Sequence, residues 1–231
     1  KTDDLMPLYQ LINGKKVFFS HIPKTGGTTI EKWLEKNSIK VSFFSKHIPE
    51  GLRVTPQHLT LKAVTSFFNL DDVDFYFCIV RNPYDRFESE YFYRKSICNK
   101  TKNETFTKFL IKSLMLAKND IYIYDSHIRP QNNFYVTGIE CFKFEEGIET
   151  IIKKISKRLS ITGSNNIDVH KKSERQSIKW SNLCLKIFND FYKDDFEIFN
   201  YGINKTPNYY IYNLIEMICQ KYYFKKKCSF F

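Results

Sequence analysis

The sequence predicts an α/β fold, a central parallel sheet flanked by helices in three layers. Three observations carry this: strand and helix patterns alternate along the chain, two strand patterns end in turns that open helices, and the composition is globular. Hydrophobic residues make up 42% and charged residues 26% of the 231 residues, which excludes a disordered or fibrous chain. That length suits one substantial core. The expectation is a single domain over 1–231, with its core over about 16–201 and a C-terminal helical extension over 202–231.

Lys16 to Ser20 (K-V-F-F-S) is a short apolar run of β-branched and aromatic residues ending in a polar one, the pattern of a buried strand. It runs directly into H-I-P-K-T-G-G-T-T. From Thr28 to Lys36 the period becomes helical, with Ile30, Trp33 and Leu34 on one face and Glu31, Lys32, Glu35 and Lys36 largely outside. Val41 to Phe44 reads as a second short strand, Pro49, Gly51 and Pro56 mark a loop, and Leu59 to Phe68 reads as a helix. Asp74 to Val80 (D-F-Y-F-C-I-V) is the strongest strand pattern; Arg81-Asn82-Pro83 ends it, because proline donates nothing to a ladder and restricts its predecessor.

Helices follow over Tyr84 to Ser96 and Phe106 to Ala117, then a polar loop with Ser126-His127-Ile128-Arg129-Pro130-Gln131. Cys141 to Phe144 reads as a strand and Glu145 to Leu159 as the helix behind it. Ser160 to Gln176 is polar and basic, the composition of a mobile loop. Trp180 to Phe199 returns to helical spacing, and Tyr209 to Tyr223 reads as a terminal helix before a Lys-rich tail.

The formal net charge of +11 would attract a polyanion or a multiply phosphorylated cofactor, although solvated surface lysines account for part of it. The six cysteines, Cys78, Cys98, Cys141, Cys184, Cys219 and Cys228, include no C-x-x-C pair. That argues against a zinc ribbon or a thioredoxin-type site and permits disulfides without requiring them. Sequons at Asn99, Asn103 and Asn204 do not fix a compartment in a chain this rich in Asn.

The first chemistry lies in H-I-P-K-T-G-G-T-T, His21 to Thr29. Backbone amides at a glycine turn opening a helix form an anion site, since the first amides lack intrahelical partners and the helix dipole favours negative charge. Gly26 and Gly27 permit close approach, Thr28 and Thr29 add hydroxyls, and Lys24 adds a full positive charge. A nucleoside-triphosphate P-loop places its Lys directly after the last glycine and before Ser/Thr, whereas Lys24 precedes both glycines. A plain structural turn is the reading without chemistry.

The segment resembles the 5′-phosphosulfate loop of sulfotransferases that use 3′-phosphoadenosine 5′-phosphosulfate (PAPS), in the branch holding Golgi carbohydrate sulfotransferases such as the 2-O-sulfotransferases and related bacterial and viral proteins. The resemblance implies a P-loop-like three-layer fold and cofactor contacts from Lys24, Thr25, Gly26, Gly27, Thr28 and Thr29, with Lys24 near the bond being broken. Downstream, F-Y-F-C-I-V-R-N-P-Y-D-R-F-E-S-E-Y from Phe75 to Tyr91 is similar to the family's 3′-phosphate segment and implies Arg81 and Ser89 as 3′-phosphate ligands. Guanidinium binds phosphate bidentately and a Ser hydroxyl adds a neutral donor. Arg86 is spaced to pair with Glu90 at i,i+4 and is structural by default. Weaker patches of likeness are His127 to Gln131 (H-I-R-P-Q), Phe144-Glu145, and Asp194 to Tyr201 (D-D-F-E-I-F-N-Y).

Sulfuryl transfer needs a base for the acceptor's proton and positive charge for the leaving phosphate oxygen of adenosine 3′,5′-bisphosphate, the product. Lys24 suits the second role. For the base the resemblance points to His58, between the two cofactor segments; neutral imidazole accepts a proton near physiological pH. His127 is the rival base. His21 is read as orienting its loop, His47 as a surface residue and His170 as solvated. No metal is expected, because backbone amides, Lys24 and Arg81 suffice to neutralise the cofactor.

The expected activity is therefore sulfuryl transfer from PAPS to a hydroxyl of a carbohydrate, an acceptor glycan that the basic surface would grip if acidic, with no nucleic acid as partner. Protein-tyrosine or small-molecule sulfotransfer is the nearest alternative; a P-loop nucleotide kinase and a noncatalytic polyanion-binding module are more distant. No apolar run approaches the ~18 residues that span a bilayer, and no signal-peptide pattern opens the chain. A membrane anchor is expected only upstream of Lys1, giving a Golgi-lumen location if one was removed and a cytoplasmic one otherwise.

Overall fold

A computed structural model describes residues 8–204 except 43, 44, 46, 67, 100 and 162–177. The expected terminal helix over Tyr209 to Tyr223, most of the basic loop and His170 lie outside the described residues. Among those described, five strands form one mixed sheet in the order β3-β1-β2-β4-β5: β1 Leu8–Leu11, β2 Lys16–Ser20, β3 Ser38–Ser42, β4 Phe75–Val80 and β5 Glu140–Lys143. The three adjacent strands β2, β4 and β5, whose ends lead to the site, are parallel. β1 joins them antiparallel to β2, and β3 pairs antiparallel with β1. The sheet is thus α/β with a parallel core and an antiparallel margin that periodicity did not reveal.

β1 is only L-Y-Q-L, too short for a period to register, but the Ile12-Asn13-Gly14-Lys15 turn behind it carries an Asn-Gly hairpin signal. Gly14 sits at φ 85°, and its amide donates to the Leu11 carbonyl at 2.9 Å.

β2 and β4 are buried on both faces, as parallel strands under two helical layers must be. Val17, Phe19, Phe75, Phe77 and Ile79 face one way and meet α1 (Gly27–Lys36) through Ile30, Trp33 and Leu34. Phe18, Cys78 and Val80 face the other way and meet α2 (Leu61–Thr65) through Leu61 and Val64. Phe77 is fully buried, stacked on Phe19 with ring centroids 4.8 Å apart; truncating such a ring to Ala costs roughly 3–5 kcal/mol.

Beyond the sheet, α3 (Pro83–Ile97), α4 (Phe106–Asn119) and the short α5 (Ile123–Ser126), a turn with left-handed backbone at Tyr124 and Asp125, follow β4. After β5 come α6 (Ile148–Leu159), which covers the α1 face of the sheet, then α7 (Asn182–Phe191) and α8 (Lys193–Ile198). α3, α4, α7 and α8 join in an aromatic cluster around Tyr84, Phe87, Phe109, Phe188 and Tyr192.

Several expected boundaries move for local reasons. The helix expected from Glu145 starts at Ile148, because Phe144–Glu146 form a 3₁₀ turn ended by Gly147 at φ 86°. The helix expected from Leu59 starts at Leu61, since Pro56–His58 form their own 3₁₀ turn and the Thr60 hydroxyl caps the amide of Ala63. The helix expected over Trp180 to Phe199 breaks at Tyr192, whose hydroxyl donates to the Ile128 carbonyl at 2.6 Å. No helix among the described residues is long and apolar enough to cross a membrane, and the four described cysteines are free thiols.

Candidate active site

The turn between β2 and α1 is held by its own side chains. Thr25 is fully buried and its hydroxyl donates to the Ile22 carbonyl at 2.8 Å, which closes the loop. This turns its side chain into the loop, and Thr25, expected as a cofactor contact, is not among the residues that line the cavity. Lys24 and Gly26 have φ of 70° and 88°; for Lys24 the left-handed backbone costs about 1–2 kcal/mol.

The two glycines have different reasons. A Cβ on Gly26 would lie 2.7 Å from Ile148 and 3.0 Å from Phe144, besides the positive φ. A Cβ on Gly27 would lie 2.0 Å from Nε2 of His21, so the imidazole rests directly on the helix start. α1 opens with no side-chain cap and no acidic residue in its first turn. An uncapped, unneutralised helix start beside Lys24 is suited to an anion.

β4 delivers the second wall. Asn82 caps the amide of Tyr84 and Pro83 occupies the first turn of α3, so the strand passes into the helix at one fixed angle. The Arg81 guanidinium lies 4.5 Å from the Phe144 ring centroid and donates from Nη1 to the Lys24 carbonyl at 3.3 Å, joining both motifs. Ser89 is buried one turn and a half along α3, on the same cavity. Arg86 is structural, but its partners are the carbonyls of Pro23 and His127, each at 3.0 Å. The Glu90 partner expected for it is Arg94 instead, 2.5 Å away.

Three histidines line the same cavity: His21, His58 and His127. His58 stands between the others, with centroids 5.0 Å from His21 and 5.2 Å from His127. In each, Nδ1 faces a carboxylate: Glu31 for His21 at 2.7 Å, Asp125 for His58 at 2.7 Å and Glu90 for His127 at 2.6 Å. His47 is exposed and takes no part.

Burial is the main cause that lowers the pKa of His58, to about 4, against the opposing hydrogen bond from Asp125. Burial likewise lowers His127, against Glu90. Burial alone would raise Asp125, yet hydrogen bonds from His58 and Thr55 outweigh it and hold the carboxyl well below the usual range. Both imidazoles are therefore neutral and Asp125 ionised at neutral pH.

His58, Asp125 and His127 bring one possible ligand atom each within 4.8 Å of one another, a set that could hold a metal. The His58–Asp125 and His127–Glu90 contacts are those of hydrogen-bonded dyads, and the cavity gathers their two imidazoles with Lys24, Gly26, Gly27, Thr28, Thr29, Arg81 and Ser89 around about 530 Å³. Tyr93 lies under the Lys24 ammonium, 4.0 Å from ring centroid to Nζ.

Glu31, Glu90, Asp125, Tyr93 and Phe144 were not singled out as site residues by sequence reasoning. For the carboxylates the signals were present but unused: Glu31 follows the glycine turn on its helix, Glu90 adjoins Ser89, and Asp125 lies two residues before His127.

A cavity walled by a strand–glycine turn–helix and a strand–Arg–helix, with cations on two sides and imidazoles on the third, is built in an α/β fold to suit an anionic ligand. A family model, the sulfotransferase family, matches residues 11–202. The chain belongs to this family of PAPS-dependent sulfotransferases and is a transferase enzyme. No curated protein and no solved structure matches it.

Proposed function

We propose that this sulfotransferase moves the sulfuryl group of PAPS onto a hydroxyl of a carbohydrate, releasing adenosine 3′,5′-bisphosphate, with the core over about 16–201 as its catalytic unit. The observation that carries the site assignment is the meeting of both motifs and the three imidazoles on one cavity. Its donor set fits the cofactor. The tight glycine turn, the open start of α1, Lys24 and the Thr28 and Thr29 hydroxyls suit the phosphosulfate end. Arg81 and Ser89 suit the 3′-phosphate.

PAPS supplies an activated sulfuryl group on a phosphate leaving group. The chain's residues do the rest. Lys24 places positive charge where negative charge grows as the phosphate departs. His58, neutral, takes the acceptor's proton at Nε2, since Nδ1 is engaged by Asp125. His127 and His21 flank it and close the wall. The charge needed is provided by Lys24, Arg81 and backbone amides, so a metal is not part of the proposed reaction, and chelation with EDTA should leave turnover unchanged.

The carbohydrate acceptor rests on the resemblance of the first motif and on the net charge of +11, which favours an acidic glycan. An acceptor array with radiolabelled PAPS tests it. Incorporation into glycans with none into tyrosine peptides or small phenols is the expected outcome; incorporation confined to peptides or phenols reverses it.

A further inference from the structure

We propose that Asp125 is a positioning residue for the base: it holds His58 as the tautomer protonated on Nδ1 and so presents the Nε2 lone pair to the acceptor hydroxyl. The inference rests on the proposed role of His58 and adds a residue that neither family motif contains.

The hydrogen count fixes the tautomer. The Thr55 amide donates to Asp125 Oδ1 at 2.7 Å, and the Thr55 hydroxyl donates its one hydrogen to Asp125 Oδ2 at 2.7 Å. Thr55 Oγ1 also lies 3.1 Å from His58 Nδ1, and with its hydrogen already given it is an acceptor there. Asp125, an ionised carboxylate, is an acceptor only, and its Oδ2 is 2.7 Å from the same nitrogen. Both neighbours of Nδ1 accept, so Nδ1 carries the hydrogen and Nε2 does not. A carboxylate behind an imidazole also stabilises the imidazolium that forms as the proton is taken.

The backbone around Asp125 is shaped for this contact. Tyr124, Asp125 and Ser126 have φ of 52°, 58° and 63°, three successive non-glycine residues in the left-handed region. Such a conformation persists where its surroundings over-determine it, and it clusters at functional sites. Here Arg94 Nη2 donates to the Tyr124 carbonyl at 3.1 Å with the guanidinium over the Tyr124 ring, while Ser126 is fully buried. The turn aims a carboxylate from α5 at a histidine whose loop lies some 70 residues earlier.

The same comparison separates His58 from His127. Glu90, behind His127, also accepts from Arg94 at 2.5 Å, so its charge is already met by a guanidinium. Among the described residues no Lys or Arg forms an ion pair with Asp125; its side-chain partners are His58 and Thr55. The charged and titratable groups facing His58 are Asp125, His21 and His127, with Lys24 and Arg94 acting on His127 from beyond.

The test uses the full chain with Asp125→Asn, Asp125→Glu and Thr55→Val. Asp125→Asn should lower kcat by roughly 10² to 10⁴-fold with PAPS affinity unchanged. Asp125→Glu should restore at least tenfold of the loss, and Thr55→Val, which leaves the carboxylate, should lie between. Nitrogen-15 NMR of labelled histidine should show His58 protonated on Nδ1 in the wild type and a shift toward Nε2 protonation in Asp125→Asn. Thr55→Val and the wild-type spectrum keep the question answerable if Asp125→Asn fails to fold. Wild-type kcat in folded Asp125→Asn, or His58 found protonated on Nε2 in the wild type, overturns the proposal. With His58→Ala inactive in the same series, those results remove only the positioning role; with His58→Ala active, the base assignment itself is lost.

Discussion

Arg81 and Gln131 hold each other by their backbone and side chain in both directions. The Arg81 amide donates to Gln131 Oε1 at 2.9 Å, and Gln131 Nε2 donates to the Arg81 carbonyl at 2.8 Å. Gln131 is fully buried, and its own amide and that of Asn132 donate to the two oxygens of Asp195 at 2.8 Å each. The end of β4 is thus pinned by the H-x-R-P-Q loop, which is pinned in turn by α8. Replacing Gln131 with Ala would leave both backbone groups of Arg81 without these partners, at about 1–3 kcal/mol for each buried group. The expected outcome is a lower Tm together with weaker PAPS binding, read by thermal shift and calorimetry. Unchanged PAPS affinity in a folded variant would mean that Arg81 needs no such anchor.

Lys24→Ala should suppress turnover while leaving the fold intact. The ammonium rests on the Tyr93 face at the cavity, not in the core. Loss of a donor that acts on charge in the transition state commonly costs about 10²-fold or more in rate. The measurement is kcat at saturating PAPS, and near-normal turnover there would remove Lys24 from the chemistry.

Arg81→Ala and Ser89→Ala should weaken cofactor binding, Arg81 the more, because it loses a charge-assisted contact. Adenosine 5′-phosphosulfate, which lacks the 3′-phosphate, distinguishes the cause. Both variants should lose affinity for PAPS and little for the shorter ligand; equal losses would assign these residues another task.

The parts of this site that were legible in the sequence are those made by one stretch of chain. A strand, a glycine turn and a helix start are contiguous, so K-V-F-F-S-H-I-P-K-T-G-G-T-T reports its own geometry, and D-F-Y-F-C-I-V-R-N-P does the same. His58 and His127 could be named as rivals, but their meeting at 5.2 Å depends on where two loops return to the sheet. The dyads were hidden for the same reason. Glu31 lies 10 residues from His21, whereas Asp125 lies 67 from His58 and Glu90 37 from His127. Nor does periodicity report a left-handed turn built from Tyr124, Asp125 and Ser126, since nothing in Y-D-S demands one. β1 escaped because its pairing, not its four residues, makes it a strand.

Stability should fall on mild acidification. His58, lowered by burial to about 4 from an unfolded value near 6.5, and His127, lowered in the same direction, stay neutral in the folded chain while the unfolded chain takes up protons. Between those limits the unfolded state binds more protons, so stability rises with pH and is lost as pH drops from about 6.5 toward 4. The slope is up to about 1.4 kcal/mol per pH unit for each imidazole. Glu90 and Asp125, whose folded pKa values are depressed below 4.5 and 3.8, add their loss at lower pH still. Denaturant midpoints from pH 7 to pH 4.5 should show the decline, and His58→Gln should make it shallower. A flat profile would mean that these rings are not neutral in the folded state.

His58→Ala and His127→Ala decide which imidazole acts as base. Both rings line the cavity, both are lowered by burial, and both have a carboxylate on Nδ1. They differ in what that carboxylate already serves: Glu90 is shared with Arg94, and its oxygen toward His127 belongs to a network that also holds α3 to the loop after α5. Removing His127 should therefore lower Tm and affect turnover through the fold of the wall. Removing His58 should lower kcat by roughly 10² to 10⁴-fold with PAPS affinity nearly constant. The wild-type pH profile should agree, its acid limb lying near the lowered value of about 4 rather than near 6.5, because the ring must protonate before it fails as a base. A deeper kcat defect in His127→Ala, with His58→Ala nearly active, would move the base to the H-x-R-P-Q loop and leave His58 as a packed neighbour.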